Sequence, residues 1–159
     1  MQDIYQGPPA FFGHTTSPDL DPNGHSYLIC HPHHIVSLKN KLRGDILATG
    51  LHFDQVILCL RGGGYGADLL DLPIDSIRTQ RYDGINHASA DIKLLQSPSV
   101  DLTAKQVLAT EDVVDQGLSL NHVRQVLLHL GAASVTFAAL HQKPWTQVEA
   151  EIVGQVTDA

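Results

Sequence analysis

Three short, almost wholly apolar runs constrain the fold of this chain more than any other feature. They cover residues 55–60, 106–110 and 134–140. Runs of this length are typical of strands that are buried on both faces, as in a parallel sheet. Before the first run and between the last two, apolar residues recur at helical spacing and predict helices over residues 32–49 and 118–130. With a further short strand at 76–79, the alternation predicts an α/β fold whose mostly parallel sheet is flanked by helices.

The organisation along the chain predicts one domain with an arm before it, since 159 residues suit a single domain. Residues 1–26 contain several prolines and glycines without periodicity, which predicts an irregular N-terminal arm or cap. Residues 27–159 then form the single domain. Within it, 67–72 predict one or two helical turns. The stretch 82–100 has no clean period and predicts a mobile loop or a hairpin.

Composition excludes several classes of function. The formal net charge of -7 argues against a general nucleic-acid binder, which needs a basic face. No run of about 18 apolar residues is present, so no membrane span is expected. The first residues lack the basic start and apolar core of a secretion signal, so we expect a cytoplasmic protein. Cys30 and Cys59 are too few for a disulfide framework and are expected to be reduced thiols.

The segment VLATEDVVDQGLSL, residues 107–120, has the strongest chemical pattern. Glu111 and Asp112 follow a buried strand, where paired carboxylates are costly unless a cation or hydroxyl groups meet them. The turn from Asp115 to Ser119 then opens a helix, whose N-terminal amides suit a phosphate. The pairing fits a phosphorylated ribose. The alternative is that Ser119 caps the helix and the acids are merely solvated.

This segment resembles the phosphoribosyl-pyrophosphate (PRPP) motif of the type I phosphoribosyltransferases. The resemblance implies that Glu111 and Asp112 bind the ribose hydroxyls and help to hold Mg²⁺. It implies that Asp115 is catalytic, close to the imidazole edge of the base. The 5′-phosphate loop would comprise Asp115, Gln116, Gly117, Leu118 and Ser119. Two residues depart from the family pattern: Thr110 stands at an apolar position, and Gln116 stands where the family usually has Thr.

Leu60-Arg61-Gly62-Gly63 follows another buried strand and resembles the pyrophosphate loop of the same family. The resemblance implies that Arg61, Gly62 and Gly63 bind pyrophosphate, that Arg61 assists catalysis, and that a non-proline cis peptide starts the loop. Glycines let backbone donors approach an anion, and Arg adds a cationic fork. Two alternatives remain. Residues 62–67 (GGGYGA) also match a dinucleotide fingerprint, with Asp83 about 20 residues on, or the glycines serve packing alone.

Two weaker matches complete the resemblance. Lys143, in HQKPW, stands where the 6-oxopurine branch of the family has a base-binding lysine, and an ammonium donor selects a carbonyl over an amino group. A lysine ahead of proline is also a common surface feature. Arg81 and Tyr82 resemble the start of the family's flexible catalytic loop, which shields the reacting carbon from water.

Together these matches imply a Rossmann-like type I phosphoribosyltransferase fold, with a small hood built from the N-terminal arm and the C-terminal segment. They imply Mg²⁺-dependent transfer from PRPP to a 6-oxopurine base, which releases pyrophosphate and a purine nucleoside monophosphate. Family membership also implies a homodimer or homotetramer. Two alternatives are a PRPP-binding sensor without transfer activity and a nicotinamide-dependent oxidoreductase.

Two features fall outside this interpretation. In the family an aromatic or large apolar residue that stacks on the purine follows shortly after the position of Gly154, and residues 155–159 offer none. We therefore expect either a truncated domain or a pocket completed by other residues. The histidine-rich stretch His31-Pro32-His33-His34 is a candidate metal site. The alternative is that Pro32 simply starts a helix.

Overall fold

The computed structural model describes residues 14–15, 27–28, 32–82 and 91–157. Two short strands, β1 (His14–Thr15) and β2 (Tyr27–Leu28), form an antiparallel pair of their own. The main sheet has six strands. They are β3 (Gln55–Leu60), β4 (Ile74–Tyr82), β5 (Asp91–Gln96), β6 (Gln106–Val114), β7 (Ser134–Gln142) and β8 (Ile152–Val156).

The strand order in the sheet is β5-β4-β3-β6-β7-β8. Every neighbouring pair is parallel except β4 and β5. The predicted mostly parallel α/β sheet is therefore confirmed. In this order β3 and β6 are direct neighbours, although 45 residues separate Leu60 from Gln106 in the sequence. The chain between them includes the crossover to β4 and the antiparallel pair β4–β5.

Two helices cover opposite faces of the sheet. Helix α1 (Pro32–Ala48) starts at Pro32. Proline is favourable there because the amide N–H that it lacks would have no acceptor in the first turn of a helix. Its buried residues, among them Leu42 and Ile46, pack on one face. Helix α2 (Leu118–His129) packs on the other face through Leu120, Val123 and Leu127. Burial on both faces explains why β3 and the first part of β6 are mostly apolar.

The observed elements differ from the expected ones mainly at their ends. Strand β6 runs on to Val114, so the acid pair lies within the strand rather than after it. Strand β4 spans nine residues instead of 76–79. The helical turns expected at 67–72 start earlier, as a 3-10 helix over Gly62–Asp68. The region 82–100, expected to be a mobile loop or a hairpin, contains strand β5, which pairs antiparallel with β4; residues 83–90 between the two strands lie outside the described part.

The C-terminal segment was expected in a hood, but its described residues join the main sheet as β8. Most of the N-terminal arm, the other part of that hood, lies outside the described residues. No helix in the described ranges combines the length and apolar character that a membrane span requires. Cys59 is buried and free, as expected, and Cys30 lies outside the described part.

Candidate active site

The ends of β3 and β6 bring the two glycine- and acid-containing segments together. In the parallel register Leu58 pairs with Thr110, so the chain that follows Leu60 emerges beside Asp112. The Leu60–Arg61 peptide is cis, as the resemblance implied. A Cβ added to Gly62 would overlap the Asp112 carboxyl group. The carboxylate therefore lies directly against the glycine loop, which has no room for a side chain at this point.

Thr110, on β6 just before the acid pair, links this strand to the glycine loop. Its side chain is completely buried, and its hydroxyl donates to the Gly63 carbonyl at 2.7 Å. Gly66, one turn further along the 3-10 helix, packs against the same side chain. The polar residue at this otherwise apolar position thus satisfies a buried carbonyl of the glycine loop.

The acid pair occupies the end of β6. The Asp112 amide donates to Glu111 Oε1 at 3.1 Å, and the Val113 amide donates to Asp112 Oδ1 at 2.8 Å. Burial, reinforced by the neighbouring Asp112 carboxyl, raises the pKa of Glu111 to about 8. A group that holds a proton so easily is stabilised as an anion by a cation or by hydroxyl donors. The pair is therefore suited to such a ligand.

Two groups beside the pair were not predicted from the sequence. Tyr65 donates from its hydroxyl to the Ala138 carbonyl at 2.9 Å, and burial together with Glu111 raises its pKa. His141 is buried on β7, and burial lowers its pKa against the opposing effect of Asp112. Burial also raises the pKa of the Cys59 thiol, with Glu111 adding to it. The side chains of Tyr65, His141 and Cys59 near the acids are therefore neutral at neutral pH.

The phosphate-loop segment forms a small cavity next to the acids. Its volume is about 100 Å³, and it is lined by Glu111, Val113 and residues 114–120. Gly117 has a φ of 78° and lies immediately before α2, with its Cα against the Val148 carbonyl. No side chain caps this helix, so the alternative that Ser119 caps it is wrong. The first residues of the helix, 118–120, line the cavity, and a helix N-terminus without a side-chain cap is suited to bind an anion.

The predicted base-binding segment lies against the phosphate loop. Beyond β7, the Lys143 amide donates to the Val114 carbonyl at 2.8 Å. The Lys143 Nζ lies 5.3 Å from the centre of the Trp145 ring, and Trp145 Nε1 donates to Asp115 Oδ1 at 2.8 Å. The sequence analysis missed Trp145. Its only signal was an aromatic residue two positions after a candidate base-binding lysine.

Two further candidates are the flexible-loop residues Arg81 and Tyr82 and the dinucleotide fingerprint. Arg81 and Tyr82 end β4 beyond the Leu60–Arg78 pair, but only their backbone is described. The dinucleotide fingerprint requires a helix that starts at the loop and continues along the sheet. Here GGGYGA lies within a 3-10 helix of 7 residues, Gly62–Asp68, and Asp83 lies outside the described part. That alternative therefore loses its structural context.

A metal site was also tested against the donors present. Within the described ranges, no group of three or more His, Cys, Asp or Glu side chains could hold a metal ion by itself. At the helix start, the rings of His33 and His34 lie 4.2 Å apart, and His31 is outside the described residues. Glu111 and Asp112 offer two carboxylates, which fits Mg²⁺ because it commonly takes one or two carboxylates, water and substrate phosphates.

The fold and the site together define an α/β protein with a glycine loop and an acid pair at adjacent strand ends. The chain belongs to the phosphoribosyl transferase domain family, whose model matches residues 41–155.

Curated relatives and solved structures agree with this family. A hypoxanthine-guanine phosphoribosyltransferase of Streptococcus mutans is 29% identical over 73 residues, which are 46% of this chain and 41% of that protein. The one from Streptococcus agalactiae is 30% identical over 71 residues, 45% of this chain and 39% of the relative. The matched stretch therefore spans about two fifths of each curated relative.

The structural matches cover more of the chain. A purine phosphoribosyltransferase from Pyrococcus horikoshii matches with a TM-score of 0.70 and 25% identity, over 81% of this chain and 86% of that one. A hypoxanthine-guanine phosphoribosyltransferase from Bacillus anthracis matches with a TM-score of 0.71 and 27% identity, over 82% and 83%. The type I phosphoribosyltransferase fold expected from the sequence is confirmed.

Proposed function

We propose that this protein is a purine phosphoribosyltransferase that transfers the 5-phosphoribosyl group of PRPP to a 6-oxopurine base. The observation that supports it most is the contact between Gly62 and the Asp112 carboxyl group. The glycine loop assigned to pyrophosphate thus lies beside the acid pair, and Glu111 of that pair also lines the cavity assigned to the 5′-phosphate. PRPP has a 5′-phosphate, a ribose diol and a pyrophosphate, and the cavity, the acid pair and the glycine loop are chemically suited to these three groups.

The three parts of PRPP are assigned to three sets of residues. The 5′-phosphate binds the loop of residues 115–119, which ends at the uncapped start of α2. The ribose hydroxyls donate to Glu111 and Asp112. The pyrophosphate takes the backbone donors of Gly62 and Gly63 and the guanidinium of Arg61.

Transfer is a substitution at the anomeric carbon of the ribose. The bond from this carbon to the pyrophosphate oxygen breaks, the bond to a purine nitrogen forms, and the pyrophosphate leaves with the electron pair. The acid pair stabilises the positive charge that develops on the ribose, and Arg61 stabilises the leaving group. Asp115 accepts the imidazole proton of the purine or orients that ring. Lys143 donates to the 6-oxo group. Most of the rate enhancement is then positioning and charge stabilisation.

Mg²⁺ is part of this proposal because the donor set suits it. Glu111 and Asp112 would hold the ion together with oxygens of PRPP. When bound, it supplies positive charge that neutralises the leaving pyrophosphate. Arg81 and Tyr82 would start the loop that excludes water during transfer. Self-association into a homodimer or homotetramer stays a prediction, which sedimentation velocity can test.

One observation favours a second candidate, a PRPP-binding sensor that lacks transfer. In this structure the Asp115 carboxylate, which the transfer proposal assigns to the purine, is already bonded to Trp145. A sensor would keep the phosphate cavity and leave Asp115 in that bond.

One assay distinguishes the two. The protein is incubated with PRPP and Mg²⁺ and, separately, with guanine, xanthine, hypoxanthine or adenine, and nucleotide formation is followed by chromatography. The transfer proposal predicts nucleoside monophosphate from at least one oxopurine and little from adenine. PRPP binding without nucleotide from any base would contradict transfer and support the sensor.

A further inference from the structure

The turn after β7 fixes Trp145 over the loop that carries Asp115. Residues 143–146 form a β-turn with Pro144 at its second position, closed by the Thr146 amide on the Lys143 carbonyl at 3.2 Å. Backbone bonds fasten both sides of this turn to the phosphate loop. The Lys143 amide donates to the Val114 carbonyl at 2.8 Å, and the Gln147 amide donates to the Gln116 carbonyl at 3.2 Å. The turn that carries the indole is therefore held next to Asp115 by backbone hydrogen bonds on both sides.

The indole makes two different contacts from this position. Its Nε1 donates to Asp115 Oδ1 at 2.8 Å, a charge-assisted bond that fixes one carboxylate oxygen. Its ring face lies 5.3 Å from the Lys143 ammonium, within cation–π range. The ring is also 53% exposed, so these contacts fill no gap in the core. One exposed side chain thus links the proposed proton acceptor to the proposed oxopurine donor.

We propose that Trp145 is a positioning residue: its indole N–H holds the Asp115 carboxylate in the orientation that the purine imidazole needs, while its ring holds Lys143 at the 6-oxo edge. This inference rests on the proposed transfer function. Trp145 donates to Oδ1 of Asp115, and we assign Oδ2 of the same carboxylate to the purine. The binding of PRPP phosphates does not involve the indole.

Kinetics of Trp145→Phe test the catalytic part, because phenylalanine keeps an aromatic face but has no N–H. The variant should lower kcat about 10-fold or more, the amount expected for losing a hydrogen bond to a charged group. The KM for PRPP and the circular dichroism should stay at wild-type values. In an Asp115→Asn background the same substitution should lower kcat much less, since the charged acceptor is gone. An unchanged kcat in Trp145→Phe, or an equal effect in both backgrounds, would overturn the inference.

Fluorescence tests the contact without any activity, because Trp145 is the only tryptophan of the chain. Replacing Asp115 with Ala should lower the anisotropy of the indole emission and increase its quenching by acrylamide. Asp71→Ala, an exposed acid outside the site, is the control and should leave both at wild-type values. Equal quenching in wild type and Asp115→Ala would overturn the inference. A wild type without transfer but with this fluorescence response would refute the proposed function and the catalytic role, while confirming that Trp145 and Asp115 are joined.

Discussion

The Thr110 hydroxyl donates to the Gly63 carbonyl at 2.7 Å and so ties the end of one central strand to the glycine loop that follows its neighbour. The bond is fully buried, and Gly63 and Gly66 of the 3-10 helix both pack against Thr110. Because the loop and the acid pair follow different strands, this bond helps to fix their separation. The proposed pyrophosphate and ribose contacts depend on that separation.

Replacing Thr110 with Val keeps the shape of the side chain but leaves the Gly63 carbonyl without its donor. We expect the free energy of unfolding to fall by about 1–3 kcal/mol, the usual cost of an unsatisfied buried polar group. Urea denaturation measures it. Thr49→Val is the matched control, since Thr49 donates to the Ile46 carbonyl at 2.6 Å at an exposed helix end. Equal losses in both variants would show that the buried bond has no special weight.

Replacing Gly62 with Ala should disable the site while leaving the fold intact. The new Cβ must displace the Asp112 carboxyl group, and a displacement of this kind can lower kcat/KM for PRPP by about 100-fold. Gly64→Ala is the control in the same helix, because nothing lies within 4 Å of the Cβ it would add. Steady-state kinetics and thermal melting distinguish the cases. If Gly62→Ala turned over normally, Asp112 would have no role in binding PRPP.

The raised pKa of Glu111 predicts a pH dependence of stability. Below about pH 4.5 the carboxyl is protonated in both the folded and the unfolded chain, so its ionisation has no effect. Between about 4.5 and 8 the unfolded chain loses the proton while the folded chain keeps it, so the free energy of unfolding falls as the pH rises. Above about 8 this contribution stays constant at its least favourable value.

Glu111→Gln removes this ionisation, so the variant should gain stability relative to wild type as the pH rises from 5 to 8, a range set by the pKa shift of Glu111. Urea titrations at several pH values give the difference directly. Glu149→Gln, at an exposed glutamate, controls for general loss of negative charge. A stability difference that does not vary with pH would contradict the raised pKa.

Replacing Lys143 with Ala should affect the base and spare PRPP. Loss of a charged donor to the 6-oxo group should lower kcat/KM for the oxopurine about 10- to 100-fold and weaken the preference over adenine. The affinity for PRPP, measured by calorimetry, should not change. Lys93→Ala, an exposed lysine on the edge strand β5, is the control. Parallel losses for base and PRPP would mean that Lys143 supports the fold of the site and does not recognise the base.

The parts of the fold that the sequence predicted are those encoded by local periodicity. A local pattern of apolar residues is enough to predict each of four elements: the buried strands β3 and β7 and the helices α1 and α2. Strand β8 was missed because Ile152–Val156 is short and becomes a strand only by pairing with β7. The extension of β6 to Val114 likewise depends on pairing with β7, which continues to Gln142 and lets the strand include two carboxylates.

The candidate site shows the same division. The glycine loop and the acid pair could be predicted because each is a compact motif, and their proximity follows from parallel strand ends. The bond from Trp145 to Asp115 joins residues 30 positions apart. It depends on a turn whose placement is set by backbone bonds to Val114 and Gln116, and no local pattern encodes those. The use of Thr110 as a donor was hidden for the same reason.

The most direct measurement of the central claim is a crystal structure of the protein with PRPP and Mg²⁺ bound. We predict electron density for the 5′-phosphate on the amides of residues 116–119, for the ribose hydroxyls on Glu111 and Asp112, and for the pyrophosphate on Arg61-Gly62-Gly63. Density for PRPP in any other cleft, or for only one of its phosphate ends at these strand tips, would contradict the account.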